Sequence, residues 1–131
     1  MATSLATTNA DALQAAVSLD LPAIQDRLKA SGGGVHVAHS GAAFEIRVEV
    51  LNSPGPGTWR RRPVDTLHVV LDGNGILGVE NGDPVTLAPG KAAAVPAGAR
   101  HVVFGNPRLS LLVVSAPGWA RVAPLAACRR P

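Results

Sequence analysis

The chain has 131 residues, 47 % hydrophobic and 16 % charged, with a formal net charge of +3. This fits one folded domain and excludes a disordered or highly charged chain. No apolar run approaches the roughly 18 residues of a membrane span, and the start "MATSLATTNADALQ" lacks the basic and apolar regions of a secretory signal. The expectation is a soluble cytoplasmic protein with no membrane partner.

Aromatic residues are only 3 %, with no Tyr, so the core must be built from Val, Leu, Ile and Ala. Gly 14 and Pro 11 favour many turns and short strands. Two basic runs, "WRRRP" (59–63) and "CRRP" (128–131), carry much of the positive charge. Nucleic-acid binding would need a longer basic stripe with exposed aromatics for stacking, and is not expected. The single Cys128 excludes an internal disulfide and reads as an incidental free thiol.

In chain order, residues 1–34 form a helical extension, 35–115 a β-barrel and 116–131 a tail that packs back through Trp119. The Ala-rich stretch from Asn9 to Ser18 suits a helix, with Leu13, Ala16 and Val17 on one face. A second helix starts at Asp20 as cap, takes Pro22 in its first turn and stops at Ser31-Gly32-Gly33-Gly34. After Gly34 the period becomes twofold. "VHVAHS" (35–40) is a strand whose His36 and His39 fall on opposite faces, a poor metal pair. "AFEIRVEVL" (43–51) puts Phe44, Ile46, Val48 and Val50 on one face and Glu45, Arg47 and Glu49 on the other. Strands follow near 58–62, 64–71, 75–80, 84–88, 92–96, 100–104 and 109–115, separated by "DGNG", "NGDP", "APGK", "PAG" and "FGNP". Turns at this spacing predict a small antiparallel sandwich or barrel.

Two quoted segments carry a resemblance: "SPGPGTWRRRPVDTLHVVLDGNGILGVENG" and "LAPGKAAAVPAGARH". Residues 52–115, about half of the chain, resemble the cupin superfamily. The resemblance implies an all-β fold, a jelly-roll β-barrel here carrying an N-terminal helical extension. Family members show a Gly-Pro-rich turn, His-x-His, a Glu and an apolar strand ending at Gly. Their second motif is a Pro-Gly-Asp turn followed by Pro-x-Gly-x-x-His. Here the turns and spacings match and the metal ligands do not. Counting back from Gly73, the two histidines fall near Trp59 and Arg61 and the Glu at Thr66. The Asp of the second turn is Lys91, and only His101 is in place. A one-residue slip recovers nothing, because residues 58–64 contain no His, Asp, Glu or Cys.

A divalent ion needs three or four N, O or S ligands. A guanidinium about 4 Å away would also repel it by roughly 8 kcal/mol at an effective dielectric of about 20. No metal and no other cofactor is therefore expected. With Thr66 inward, His68 and Val70 point inward too, as do His101 and Val103 across the barrel. The floor is either Leu109, Leu111 and Val113 or Ser110 and Leu112. The candidate ligand-binding set is Trp59, Arg61, Thr66, His68 and His101, with the choice among the three arginines 60–62 open. Asp65 reads as a turn or surface residue.

Three functions compete. The first is a metal-free domain with a binding or regulatory role. It would hold a small anionic molecule such as a carboxylate or sugar acid, since Arg grips a carboxylate with two parallel hydrogen bonds. The second is a metal-independent isomerase, epimerase or lyase with His68 or His101 as general base. The third is a structural or interaction protein with a filled barrel. The family resemblance, and the need to protect sheet edges, add the expectation of a homodimer.

Overall fold

The triple glycine divides the chain. The computed structural model describes residues 15–52, 55–106 and 108–116; among these, one helix precedes Gly34 and ten strands follow from it. Helix α1 (Leu21–Ala30) begins where the Asp20 carboxylate accepts from the Ala23 amide at 3.1 Å. It ends where the Gly33 amide donates to the Leu28 carbonyl at 2.7 Å. Gly33 is required there on two counts: its φ is +100°, and a Cβ would meet the Val50 carbonyl oxygen at 2.8 Å. The earlier helix expected over Asn9–Ser18 is not found in its described part. Residues 15–18 are exposed and non-helical, and 9–14 lie outside the described residues, as do Trp119 and Cys128. Val17 is 62 % exposed, so packing gives residues 15–18 nothing to hold them helical.

The strands are β1 (Gly34–Ser40), β2 (Glu45–Leu51), β3 (Gly55–Pro56), β4 (Arg60–Arg61), β5 (Thr66–Asp72), β6 (Gly75–Val79), β7 (Val85–Leu87), β8 (Ala92–Val95), β9 (Arg100–Gly105) and β10 (Leu109–Ser115). They form two antiparallel sheets. One runs β1-β2-β10-β5-β8; the other runs β3-β9-β6-β7, with β4 also paired to β9. This is the antiparallel barrel that the turn spacing predicts, of the jelly-roll type that the resemblance implies. Only the short β3 was not expected, because "SPGPG" offers turn residues and no alternation.

The core is aliphatic: Val70, Leu77, Leu87, Ala93, Val95, Leu109, Leu111 and Val113. Of the two candidate floors, Leu109, Leu111 and Val113 is the one that faces inward. Their register settles how β2 is turned. Leu111 lies opposite both Glu49 and Val70, and Val113 opposite both Arg47 and His68. Directly opposed residues share a face. The polar row Glu45, Arg47 and Glu49 therefore points into the barrel. The apolar row Val48 and Val50 points to the outer face, where α1 packs on β1 and β2 and buries Ile24. The helix takes the apolar side of β2, and the barrel receives its charges. No described helix is long and apolar enough to cross a membrane.

Candidate functional site

The charges that β2 turns inward meet those of three other segments at a cavity of about 170 Å³. Glu49 comes from β2, Arg60 from β4, Arg62 from just beyond it, His68 from β5 and His101 from β9. Leu51, Val102 and Val103 make the apolar wall. Glu49 is 8 % exposed, Arg62 3 %, and His68 and His101 2 % each. Polar groups so buried need partners, because burial without a hydrogen bond or opposite charge is costly.

Those partners are specific. Arg62 Nη2 stands 3.8 Å from Glu49 Oε2. Burial pulls the Arg62 pKa down, the Glu49 carboxylate pulls against it, and the nearby guanidiniums of Arg60 and Arg47 add to the lowering. Guanidinium stays protonated nonetheless. His68 Nε2 shares a 3.1 Å hydrogen bond with Thr66 Oγ1. Burial first, then the positive surroundings of His101, Arg62 and Arg60, push the His68 pKa down to about 3. His101 is lowered too, mainly by burial, with its bond to the Ala99 carbonyl opposing. Both imidazoles are thus neutral at pH 7, with ring centroids 5.6 Å apart in an edge arrangement. His101 Nδ1 lies 3.2 Å from the Ala99 carbonyl oxygen. A carbonyl can only accept, so Nδ1 carries the hydrogen and Nε2 keeps a lone pair.

Of the residues expected from sequence, His68 and His101 line the cavity, and Thr66 is buried behind His68 as its hydrogen-bond partner. Trp59 and Arg61 are not among the lining residues. The pairing of β4 with β9 explains why: Arg60 lies opposite His101 and Arg61 opposite Arg100. Arg60 therefore shares the inner face, and Arg61 the outer one. Arg61 approaches Glu80 at 3.8 Å, and Arg100 binds the same carboxylate at 3.2 Å. Trp59, 41 % exposed, carries the Arg100 guanidinium 4.8 Å above its ring. Asp65 accepts from the Ala97 amide at 2.8 Å on the surface, a turn role as expected. Arg60 and Arg62 are the two that line the cavity of the three arginines left open by the sequence, and Glu49 is the charged lining residue that sequence reasoning missed. The signal for Glu49 was available: the helix that precedes β1 claims the apolar face of β2 and leaves the charged one for the interior.

No family model and no curated protein matches the sequence. Solved structures do. The chain is similar to the DMSP lyase DddQ from Ruegeria pomeroyi DSS-3, at 17 % identity and TM-score 0.59, over 66 % of this chain and 47 % of that one. It is similar to KdgF from Halomonas sp., at 16 % identity and TM-score 0.61, over 70 % and 85 %. A third is an RmlC-like cupin with a double-stranded β-helix fold from Methanocaldococcus jannaschii, at 17 % identity and TM-score 0.59, over 69 % and 84 %. The chain has the cupin fold. The match spans about half the length of the lyase.

The cupin motif can now be laid on the geometry. The inward positions before β5 are 60 and 62, one residue beyond each position counted from Gly73. His-x-His is thus replaced by Arg60-x-Arg62, and the Glu by Thr66. The donors that remain are two imidazoles and a Glu49 carboxylate drawn to Arg62. Among the described residues no three His, Cys, Asp or Glu side chains are grouped so as to hold an ion. These residues do not fit a divalent cation, since two guanidiniums stand where two neutral ligands would be needed.

Proposed function

We propose that this cupin domain binds a small organic anion in its barrel without a metal. The observation that carries the reading is the pair of guanidiniums, one of them buried, in a cavity whose imidazoles are neutral. Arg60 and Arg62 against Glu49 leave the lining with one positive charge in excess. A carboxylate suits this lining best, because its two oxygens accept from a guanidinium fork. An apolar cavity of about 150 Å³ holds a benzene-sized molecule, so the ligand has on the order of six to ten heavy atoms.

A thermal-shift screen of small carboxylates, neutral isosteres and amines tests the reading. A carboxylate at a hundredfold over its dissociation constant should add about 2.7 kcal/mol of stability. The gain should shrink in Arg62→Gln and Arg60→Gln. A screen in which only neutral or cationic molecules stabilise the protein contradicts it.

A second reading rests on His101. Its Nε2 lone pair belongs to a neutral imidazole on the cavity wall, which suits a general base for a metal-free isomerase or lyase. The similar structure from Ruegeria pomeroyi is a lyase. This reading predicts proton exchange at a carbon acid in heavy water, abolished by His101→Gln. Dimerisation is proposed as well. Its support is β1, an edge strand that exposes Val35 and Val37. Sedimentation at micromolar concentration, with Val37→Lys as the disrupting variant, tests it.

A further inference from the structure

We infer that the anion is a small hydroxycarboxylate, one molecule carrying both the carboxylate and a hydroxyl donor. This rests on the anion-binding reading and narrows it. The deciding atom is Glu49 Oε2. Glu49 lines the cavity, and this atom is buried and accepts no hydrogen bond. Its nearest cation, Arg62 Nη2, stands 3.8 Å away, close enough for attraction and too far for an N–H···O bond. A carboxylate oxygen can only accept. Whatever fills the cavity must therefore bring a donor to this oxygen or leave it stranded. His68 Nδ1, also buried and without a hydrogen-bond partner, is a second polar atom for the same occupant to meet.

The two ends of the ligand are set by the two signs on the wall. Its carboxylate goes to the guanidiniums. Its donor goes to Glu49. A plain carboxylic acid satisfies only the first, and a dicarboxylate turns like charge toward Glu49. A hydroxyl is favoured over an ammonium on two grounds. An ammonium beside Glu49 would also stand beside the Arg62 guanidinium that faces the same oxygen. And an amino acid, being a zwitterion, brings no net negative charge to a lining with one positive charge in excess. The cavity volume of about 170 Å³ limits the molecule to a short chain.

The test is calorimetric titration of the full chain with matched sets of three to five carbons. Each set holds the hydroxy acid, its deoxy acid and its amino acid: lactate, propionate and alanine; 3-hydroxybutyrate, butyrate and 3-aminobutyrate; and the 2-hydroxy, unsubstituted and 2-amino acids of five carbons. The hydroxy acid should bind tenfold to a hundredfold tighter than its deoxy partner, the range set by stranding one buried acceptor. In Glu49→Gln the ratio should fall below threefold while carboxylate binding persists, because an amide can itself donate. The wild-type ratio decides the matter even if that variant does not fold. Equal affinity for hydroxy and deoxy acids overturns this inference and leaves the anion-binding reading standing. Tighter binding of the amino acids also overturns it. No binding by any carboxylate of the panel overturns the anion-binding reading itself.

Discussion

The barrel interior holds two regions built on different physics. Around Leu77, Leu87 and Leu109 the packed side chains are aliphatic, and each contributes through burial and dispersion. Arg62, His68, His101 and Glu49 meet as a polar cluster, and each is tolerable only because of a neighbour. The first region holds the fold, and its residues act almost independently. The second is coupled, so its parts cannot be removed singly without exposing the rest to an unpaired charge or donor.

The largest expected effect tests that coupling. Arg62→Met alone strands the Glu49 carboxylate and should cost roughly 3–5 kcal/mol. Adding Glu49→Leu should recover most of that loss, since replacing a buried pair with apolar side chains is often neutral. Denaturant titration of the two singles and the double gives the interaction energy directly. If the single losses simply add, the polar region is not coupled and the contrast fails.

Acid is the next lever. His68 has a folded pKa of about 3 against 6.5 unfolded. The unfolded chain therefore takes up its proton first as pH falls, and the stability due to the neutral ring is present above 6.5 and lost toward 3. That one group should account for on the order of 4 kcal/mol over this window. Urea titrations from pH 7 to 3.5 should show a steep slope in wild type and a shallower one in His68→Gln. Equal slopes would place His68 in contact with water.

The apolar region sharpens the contrast from the other side. Leu87→Ala should cost about 3 kcal/mol through lost burial and a residual cavity, independent of pH between 7 and 4 and without altering carboxylate affinity per folded molecule. The smallest effect belongs outside the barrel. Trp59→Ala removes an exposed cation–π contact with Arg100 and should cost about 0.5–1 kcal/mol, with no change in ligand binding.

The division between the regions also separates what could be read in the sequence from what could not. Turns are local chemistry, so "DGNG", "PAG" and "FGNP" placed the strands to within a few residues; the resemblance implied an inward Thr66, and alternation then carried His68 and Val70 inward with it, as found. The site depended on parity in two places where alternation alone is ambiguous. Counting back from Gly73 across a loop gave 59 and 61 the inner face; pairing with β9 gives it to 60, and 62 lines the same cavity. One residue reverses every side chain of a strand. In β2 the alternation was clear, but which face turns inward depended on α1, a tertiary fact that no strand pattern contains.

The central claim is that guanidiniums have taken the positions of metal ligands, so an anion binds by charge and hydrogen bonds. The most direct measurement is lactate titration of protein dialysed against chelator, with elemental analysis of the same sample. The account predicts less than a tenth of an equivalent of any transition metal, unchanged lactate affinity, and a loss of at least tenfold in Arg62→Gln. Binding that vanishes on chelation and returns with one equivalent of metal would contradict it.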